Sequence, residues 1–285
     1  GGVDILGFST GGSSRLQIAA DGGISTPTAG TSNVRLGVNA GDSITSGGNY
    51  NVLVGDEAGT ALTTGDDNVF VGAFAGDAID TAVSNTAVGS ESLSTDTKGQ
   101  HSVAIGYRAL KTANQTSALN SYNVGVGSQA GGAVTTGIRN TLIGGLAGDA
   151  LTDADKNVAI GYLALSGDTL GSTSVAVGMG TLQNQNFTSA TNSFNTAVGH
   201  EAGNDITTGT NNTFVGGLAG DALTSGNSNT AMGYVALSTD TLGDRAVAIG
   251  YGALQNQNFT TTTDNYNVAV GYNAGNDITT GQQNT

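Results

Sequence analysis

Two histidines and a set of recurring aspartates are the side chains of this sequence that could carry acid–base or nucleophilic chemistry. The histidines, His101 and His200, each stand without a repeated serine–aspartate pair beside them, so no triad is indicated. The acids recur 72 residues apart, as Asp77, Asp149 and Asp221 and as Asp96, Asp168 and Asp240. Because no unlike reactive groups converge, we predict that the chain has no catalytic residues and is not an enzyme.

Composition and charge restrict the ligands of the chain. There is no cysteine, and the calcium-binding nonapeptide pattern is absent, so we predict no metal site and no cofactor. The formal net charge is −14 with 8 basic residues, which argues against a nucleic-acid partner. The sequence contains no apolar run of the roughly 18 residues that a membrane span needs, so we expect no membrane insertion.

A five-residue pattern that ends in glycine repeats along the chain. Its form is Asn, Ser or Ala, then Val or Thr, any residue, an apolar residue and Gly. The first copy ends at Gly37, and successive glycines follow at steps of 18, then of 17, 17, 17 and 21 residues. We call each of these fourteen repeats a rung, and the remaining repeat glycines are Gly55, Gly72, Gly89, Gly106, Gly127, Gly144, Gly161, Gly178, Gly199, Gly216, Gly233, Gly250 and Gly271.

Four rungs of distinguishable sequence form a 72-residue block. The blocks run over 51–122, 123–194, 195–266 and from 267 onward, within a repeat region that spans 33–285. Residues 1–32 form a β-rich lead-in segment. Because the last residues begin a further copy of the pattern, we expect the chain to be a fragment of a longer one.

Each rung predicts a short strand closed by a turn. In Ser102 to Gly106, Val103 and Ile105 share one face and Ala104 lies on the other. The glycine suits a turn that needs a positive φ or admits no Cβ, and the leading Asn can form a ladder of amides. With a second short extended stretch in each rung, the pattern predicts an all-β parallel β-solenoid of ~17-residue rungs. Since both strand faces are largely apolar, we expect the Ala/Leu/Phe face to pack against other copies in a homo-oligomer.

Partner contacts are predicted at the four-residue insertions and at the variable residues after the glycine. The insertions carry Phe187 and Phe259, which could stack on a sugar or fill a groove between chains. His200 and Glu201 follow a repeat glycine, where the sequence is free to vary. These four residues are our receptor-contact candidates.

The stretches HSVAIGYRAL (101–110), TSVAVGMGTL (173–182) and NTAMGYVAL (229–237) resemble the repeats of two related groups. One is the head of trimeric autotransporter adhesins, a left-handed parallel β-roll. The other is the shaft of bacteriophage tail fibres, whose longer rungs and near-identical blocks are more similar to this chain. The resemblance covers about nine-tenths of the sequence and implies a left-handed, elongated homotrimer.

The tail-fibre resemblance implies a structural shaft in the virion, outside the cell, that supports host attachment. Its partners would be its own copies, other fibre or tail proteins, and a host surface glycan or protein. The alternative is a trimeric adhesin or appendage on a bacterial cell surface. A polysaccharide depolymerase is less favoured, because equivalent acids four rungs apart would be separated by about 19 Å, beyond the ~5 to 9.5 Å of a glycosidase pair.

Overall fold

The computed structural model of the chain describes residues 6–11, 13–18, 24–26 and 29–285. Within those ranges all regular structure is β, with no helix. The chain divides into two compact units, Gly1–Tyr122 and Asn123–Thr285, and the division falls at the start of the block predicted over 123–194.

The first unit begins with a small antiparallel sheet and continues as parallel rungs. In the sheet β1 pairs with β2 and β2 with β3, while residues 19–23 of the predicted lead-in lie outside the described residues. The strands are β1 (Leu6–Thr10), β2 (Ser13–Ile18), β3 (Ile24–Ser25), β4 (Val34–Leu36), β5 (Val52–Val54), β6 (Val69–Val71), β7 (Thr86–Val88), β8 (Gly99–Gln100), β9 (Val103–Ile105) and β10 (Leu119–Asn120).

The second unit consists of nine rungs, each with one three-residue strand, and two pairs of two-residue strands. The three-residue strands are β11 (Val124–Val126), β12 (Thr141–Ile143), β13 (Val158–Ile160), β15 (Val175–Val177), β17 (Thr196–Val198), β18 (Thr213–Val215), β19 (Thr230–Met232), β21 (Val247–Ile249) and β23 (Val268–Val270). The two-residue strands are β14 (Gly171–Ser172), β16 (Thr191–Asn192), β20 (Gly243–Asp244) and β22 (Thr263–Asp264).

Each three-residue strand pairs in parallel with its counterpart in the next rung of the same unit. In β13 and β15, for example, Val158 lies opposite Val175 and Ile160 opposite Val177. Equivalent residues of consecutive rungs therefore stack directly, as the 17-residue period requires. The prediction of an all-β parallel β-solenoid with about fourteen rungs of ~17 residues is confirmed.

The core of each unit is built from the middle residues of the three-residue strands from β5 onward and from side chains on the opposite wall of the rung. In β4 the middle residue, Arg35, is only half-buried. Ala104 and the larger Phe214 are both fully buried. Our expectation that the Ala/Leu/Phe face packs against other copies is therefore wrong, because that face lines the interior of the solenoid. The first and third strand residues point outward instead.

The second extended stretch predicted in every rung is also wrong as a strand. Thr135 and its neighbours form turns and bends, although its N–H still donates to the carbonyl of Thr152 in the next rung at 3.0 Å. Among the rungs that the structure describes, two-residue strands at this side of the rung occur only in the third and fourth rungs of a block. Residues with positive φ, such as Gly203 (+60°), interrupt the extended run between the wall strand and this stretch.

The repeat glycines and the leading asparagines behave as predicted. Gly199 has φ +138°, and a Cβ built there would lie 2.5 Å from the carbonyl oxygen of Gly216 in the next rung. The side-chain amide of Asn212 donates to the carbonyl of Gly226 at 2.9 Å, and its Oδ1 accepts from the backbone N–H of Asn229 at 2.9 Å. The asparagine ladder thus ties both the corner of one rung and the start of the next.

Candidate functional site

The outward side of the strands forms an apolar surface in each unit. We call it the outer strand face and define it by the first and third residues of every three-residue strand. Ile105 in the first unit is 39% exposed, and Val198 and Met232 in the second are 37% and 39% exposed. Their exposure follows from strand alternation, because the middle residue between them is committed to the core.

No residue of the outer strand face carries a charge, although the chain has 8 basic and 22 acidic residues. A charge-free strip can be removed from water without desolvating ions, so its burial against another apolar surface is favourable. In the first unit it comprises Val34, Leu36, Val52, Val54, Val69, Val71, Thr86, Val88, Val103 and Ile105. In the second it comprises Val124, Val126, Thr141, Ile143, Val158, Ile160, Val175, Val177, Thr196, Val198, Thr213, Val215, Thr230, Met232, Val247, Ile249, Val268 and Val270.

Tyrosines border the outer strand face at the position after the repeat glycine. Tyr234, Tyr251 and Tyr272 stand in three successive rungs and are exposed. Their ring centroids are 5.8 Å apart for the first pair and 5.2 Å for the second, which is stacked at 14°. In the first unit the guanidinium of Arg108 lies 4.8 Å from the ring centroid of Tyr107. The sequence did not point us to this column, although every tyrosine in it directly follows a repeat glycine.

The structure contradicts the assignment of Phe187 and Phe259 as receptor-contact residues. Each is only 5% exposed. Phe187 packs over Gly171, where even a Cβ would come within 2.7 Å of its ring. The insertions use these rings as internal anchors, because the residues on either side, such as Thr188, take the exposed positions.

Other aromatic side chains of the insertions are exposed and were missed. Tyr122, Phe194 and Tyr266 occur 72 residues apart, each directly before a leading asparagine, and about half of each is exposed. The Tyr122 ring stacks on His101 with centroids 5.3 Å apart, and Arg245 lies 5.5 Å from the Tyr266 ring centroid. The 72-residue spacing was the signal that could have singled them out.

His200 and Glu201, the other two contact candidates, lie on the surface of the second unit. The Nδ1 of His200 is 3.7 Å from the Oε2 of Glu201, and both side chains are exposed. Their positions leave them accessible to a partner, and their role in contact stays a prediction. His101, stacked on Tyr122, belongs to the other unit.

The recurring acids fall into two groups with different surroundings. Asp96, Asp168 and Asp240 are buried, so solvent does not reach them. Asp77, Asp149 and Asp221 are half-buried, and burial raises the pKa of each carboxyl. The pKa of Asp221 rises to about 6, because burial and, to a smaller extent, the charges of Asp205 and Glu201 disfavour its ionised form.

Within the described ranges no three His, Asp or Glu side chains are grouped in a way that could hold a metal ion. No helix of the described residues has the length and apolar character needed to cross a membrane. Comparison of the chain with protein-family models, curated proteins and solved structures finds no match.

Proposed function

We propose that the chain is a structural shaft segment of a bacteriophage tail fibre that assembles as a homotrimer through the outer strand face. The observation that carries the proposal is the charge-free apolar strip that repeats in every rung. A strip of this kind on a chain with a net charge of −14 favours burial against a copy of itself rather than exposure to water.

The size of the strip in the second unit supports this proposal. Nine rungs at about 4.8 Å each, with a strand and its flanking residues about 13 Å wide, give roughly 560 Å². The bordering tyrosines enlarge this area toward the ~800 Å² per partner that a stable interface buries. Tyrosine suits the border of an interface, because its ring buries apolar area while its hydroxyl stays in water.

The role in a fibre is supported by the repeat itself and by its resemblance to tail-fibre shafts. Similar rungs in parallel register make a wall that extends by repetition, and the described residues hold no convergent reactive set. The shaft would be extracellular in the virion, left-handed as in the related repeats, and joined to other fibre or tail proteins. Contact with a host glycan or protein would fall to exposed residues such as His200 and Phe194.

Immunogold electron microscopy with an antibody against the chain tests the setting of this function. The antibody is applied to purified phage particles and to uninfected cells of the bacterial source. We expect gold on the tail fibres and none on the uninfected cells. Gold on the uninfected cell surface without labelled particles would instead support the bacterial adhesin.

A further inference from the structure

One interior column of the solenoid distinguishes the rungs of a block. It contains the seventh residue after each repeat glycine, and we call it the register column. In the first and second rungs of a block the residue is aliphatic, and in the third it is aspartate. Its buried members, in chain order, are Ile44, Leu62, Ile79, Asp96, Ala113, Val134, Leu151, Asp168, Gln185, Ile206, Leu223, Asp240 and Gln257.

In the block over 123–194 the third and fourth rungs are joined by a buried hydrogen bond in this column. The Nε2 of Gln185 donates to the Oδ2 of Asp168 at 2.6 Å, and both side chains are fully buried. The other carboxylate oxygen of Asp168 accepts backbone N–H groups from Gly171 at 2.9 Å and Phe187 at 3.2 Å. The buried carboxylate is therefore paired on both oxygens only when the fourth rung follows the third.

Gln185 also reaches forward to the next block. Its Oε1 accepts from the Nδ2 of Asn195 at 2.8 Å. The asparagine ladder is interrupted in the fourth rung, where Ser174 replaces the leading asparagine. Gln185 supplies the side-chain acceptor that an asparagine would otherwise provide to the next rung. Three successive rungs are thus connected through Asp168, Gln185 and Asn195.

The next block repeats this relay. Gln257 donates to the Oδ2 of Asp240 at 2.6 Å and accepts from the Nδ2 of Asn267 at 2.7 Å. Its leading residue in the fourth rung is Ala246, which also lacks an amide. The relay is therefore independent of which small residue interrupts the ladder.

The block over 51–122 lacks the glutamine. Ala113 takes its place, and the Oδ2 of Asp96 is buried without a hydrogen-bond partner. Its Oδ1 still accepts from the N–H groups of Gly99 at 3.0 Å and Gln115 at 3.1 Å. The difference between blocks shows that the backbone of the rungs forms without the relay. The glutamine is therefore not required for the fold of the rung, and its role must be sought elsewhere.

We propose that the Asp–Gln–Asn relay sets the register of the solenoid. The strand, the repeat glycine and the apolar wall are alike in every rung, so they would tolerate a chain that skips one rung during folding. A skip would place Asp168 against Ile206, leaving a buried carboxylate without its amide donor. Because such a group is costly, the relay makes the fourth rung the favoured successor of the third.

Disulfide trapping tests this proposal in a chain that contains no cysteine of its own. The native reporter is Thr169→Cys with Asn186→Cys, whose side chains lie in adjacent rungs with Oγ1 and Oδ1 3.0 Å apart. The skip reporter is Thr169→Cys with Thr207→Cys. These residues are two rungs, about 10 Å, apart in the native register, too far for a disulfide. Each reporter chain is unfolded in denaturant, refolded and then oxidised.

Gln185→Ala is the informative variant, because alanine already occupies this position in a folded block. We expect the skip cross-link to rise about tenfold or more over the parent, as the loss of a buried hydrogen bond to a charged group implies. Thr188→Ala, an exposed change in the same rung, is the control and should leave the ratio of skip to native cross-link unchanged. If Gln185→Ala left the ratio of skip to native cross-link unchanged, the proposal would be overturned and the relay would have a purely stabilising role.

Ala113→Gln provides a second and opposite test. The new amide can pair with the Oδ2 of Asp96, so we expect amide hydrogen exchange at Gly99 and Gln115 to slow about tenfold. Unchanged exchange at both amides would show that the position cannot form the relay, and would also contradict the proposal.

Discussion

A repeat glycine that is followed by another rung faces two separate constraints, a positive φ and the close approach of that rung. At Gly199 both apply. Gly271 (φ +133°) is in the last rung of the 285 residues, which end before another strand could stack on it, so the nearest atom to a new Cβ would be 3.9 Å away. Alanine substitutions at Gly199 and Gly271 can therefore separate the free-energy cost of backbone strain from the cost of a steric clash. The prediction that these glycines are structural rests on this close approach as much as on their conformation.

We predict that Gly199→Ala lowers the free energy of unfolding by more than about 3 kcal/mol, because a Cβ 2.5 Å from a carbonyl oxygen adds a clash to strain. Gly271→Ala, which has strain alone, should cost about 1–3 kcal/mol. Chemical denaturation of the two variants measures the difference. Equal losses would mean that the approach of the next rung does not matter.

We expect the free energy of unfolding to depend on pH through the ionisation of Asp221. Its pKa in the folded chain, about 6, is above the ordinary value of 3.8, so the folded state binds the proton more tightly. The contribution of this group to stability is therefore full at low pH and is lost as the pH rises from about 4 to about 6. Asp221→Asn should remove this fall, which thermal unfolding at several pH values would measure.

Asp149→Asn is the matched comparison for Asp221→Asn. The pKa of Asp149 is raised by burial without the nearby acids that also act on Asp221. We expect its replacement to flatten the pH profile less. A profile that Asp221→Asn leaves unchanged would contradict the assignment.

At the scale of the element, each rung depends on its leading asparagine. Asn212→Ala would leave the carbonyl of Gly226 and the N–H of Asn229 without their partners inside the wall. We predict a loss of about 2–6 kcal/mol in unfolding free energy, from two groups at about 1–3 kcal/mol each. Asn184→Ala, at an exposed position, should change it by less than about 0.5 kcal/mol. Similar effects of the two changes would argue against the ladder.

The period and class of the elements followed from the sequence, but the side of the strand that faces inward did not. Strand alternation places Ala104 on one face of the strand and Val103 and Ile105 on the other. Alternation alone does not say which of the two faces is buried. Residue volumes hold the missing information. Phe214 is matched by Gly220, where a Cβ would lie 2.5 Å from its ring, whereas the equivalent positions of the next rung hold Ala231 and the larger Leu237, both fully buried.

This exchange of large and small residues occurs only between side chains that share a core. It marks the middle strand residue as interior. The burial of Phe187 could not be predicted in the same way, because the insertion that contains it lacks the two-residue alternation of a strand. The exposed Phe194 and the buried Phe187 differ in how the insertion folds back, which depends on tertiary packing.

At the scale of the whole molecule, assembly of the proposed fibre depends on what covers the outer strand face. Val177 and Val198 are paired neighbours on that face in the second unit. We predict that Val177→Lys with Val198→Lys leaves the fold intact, because both side chains point away from the core, but separates the assembled chains. Circular dichroism would check the fold, and Thr208→Lys, at an exposed position off this face, is the matched control.

The mass of the assembled particle in solution tests the central claim most directly. Light scattering coupled to size-exclusion chromatography gives that mass for the 285-residue chain and for the double lysine variant. We predict three times the chain mass of 28.0 kDa for the parent and for Thr208→Lys, and the mass of a single chain for the double lysine variant. A stable, folded parent at the mass of one chain would contradict assembly through the outer strand face.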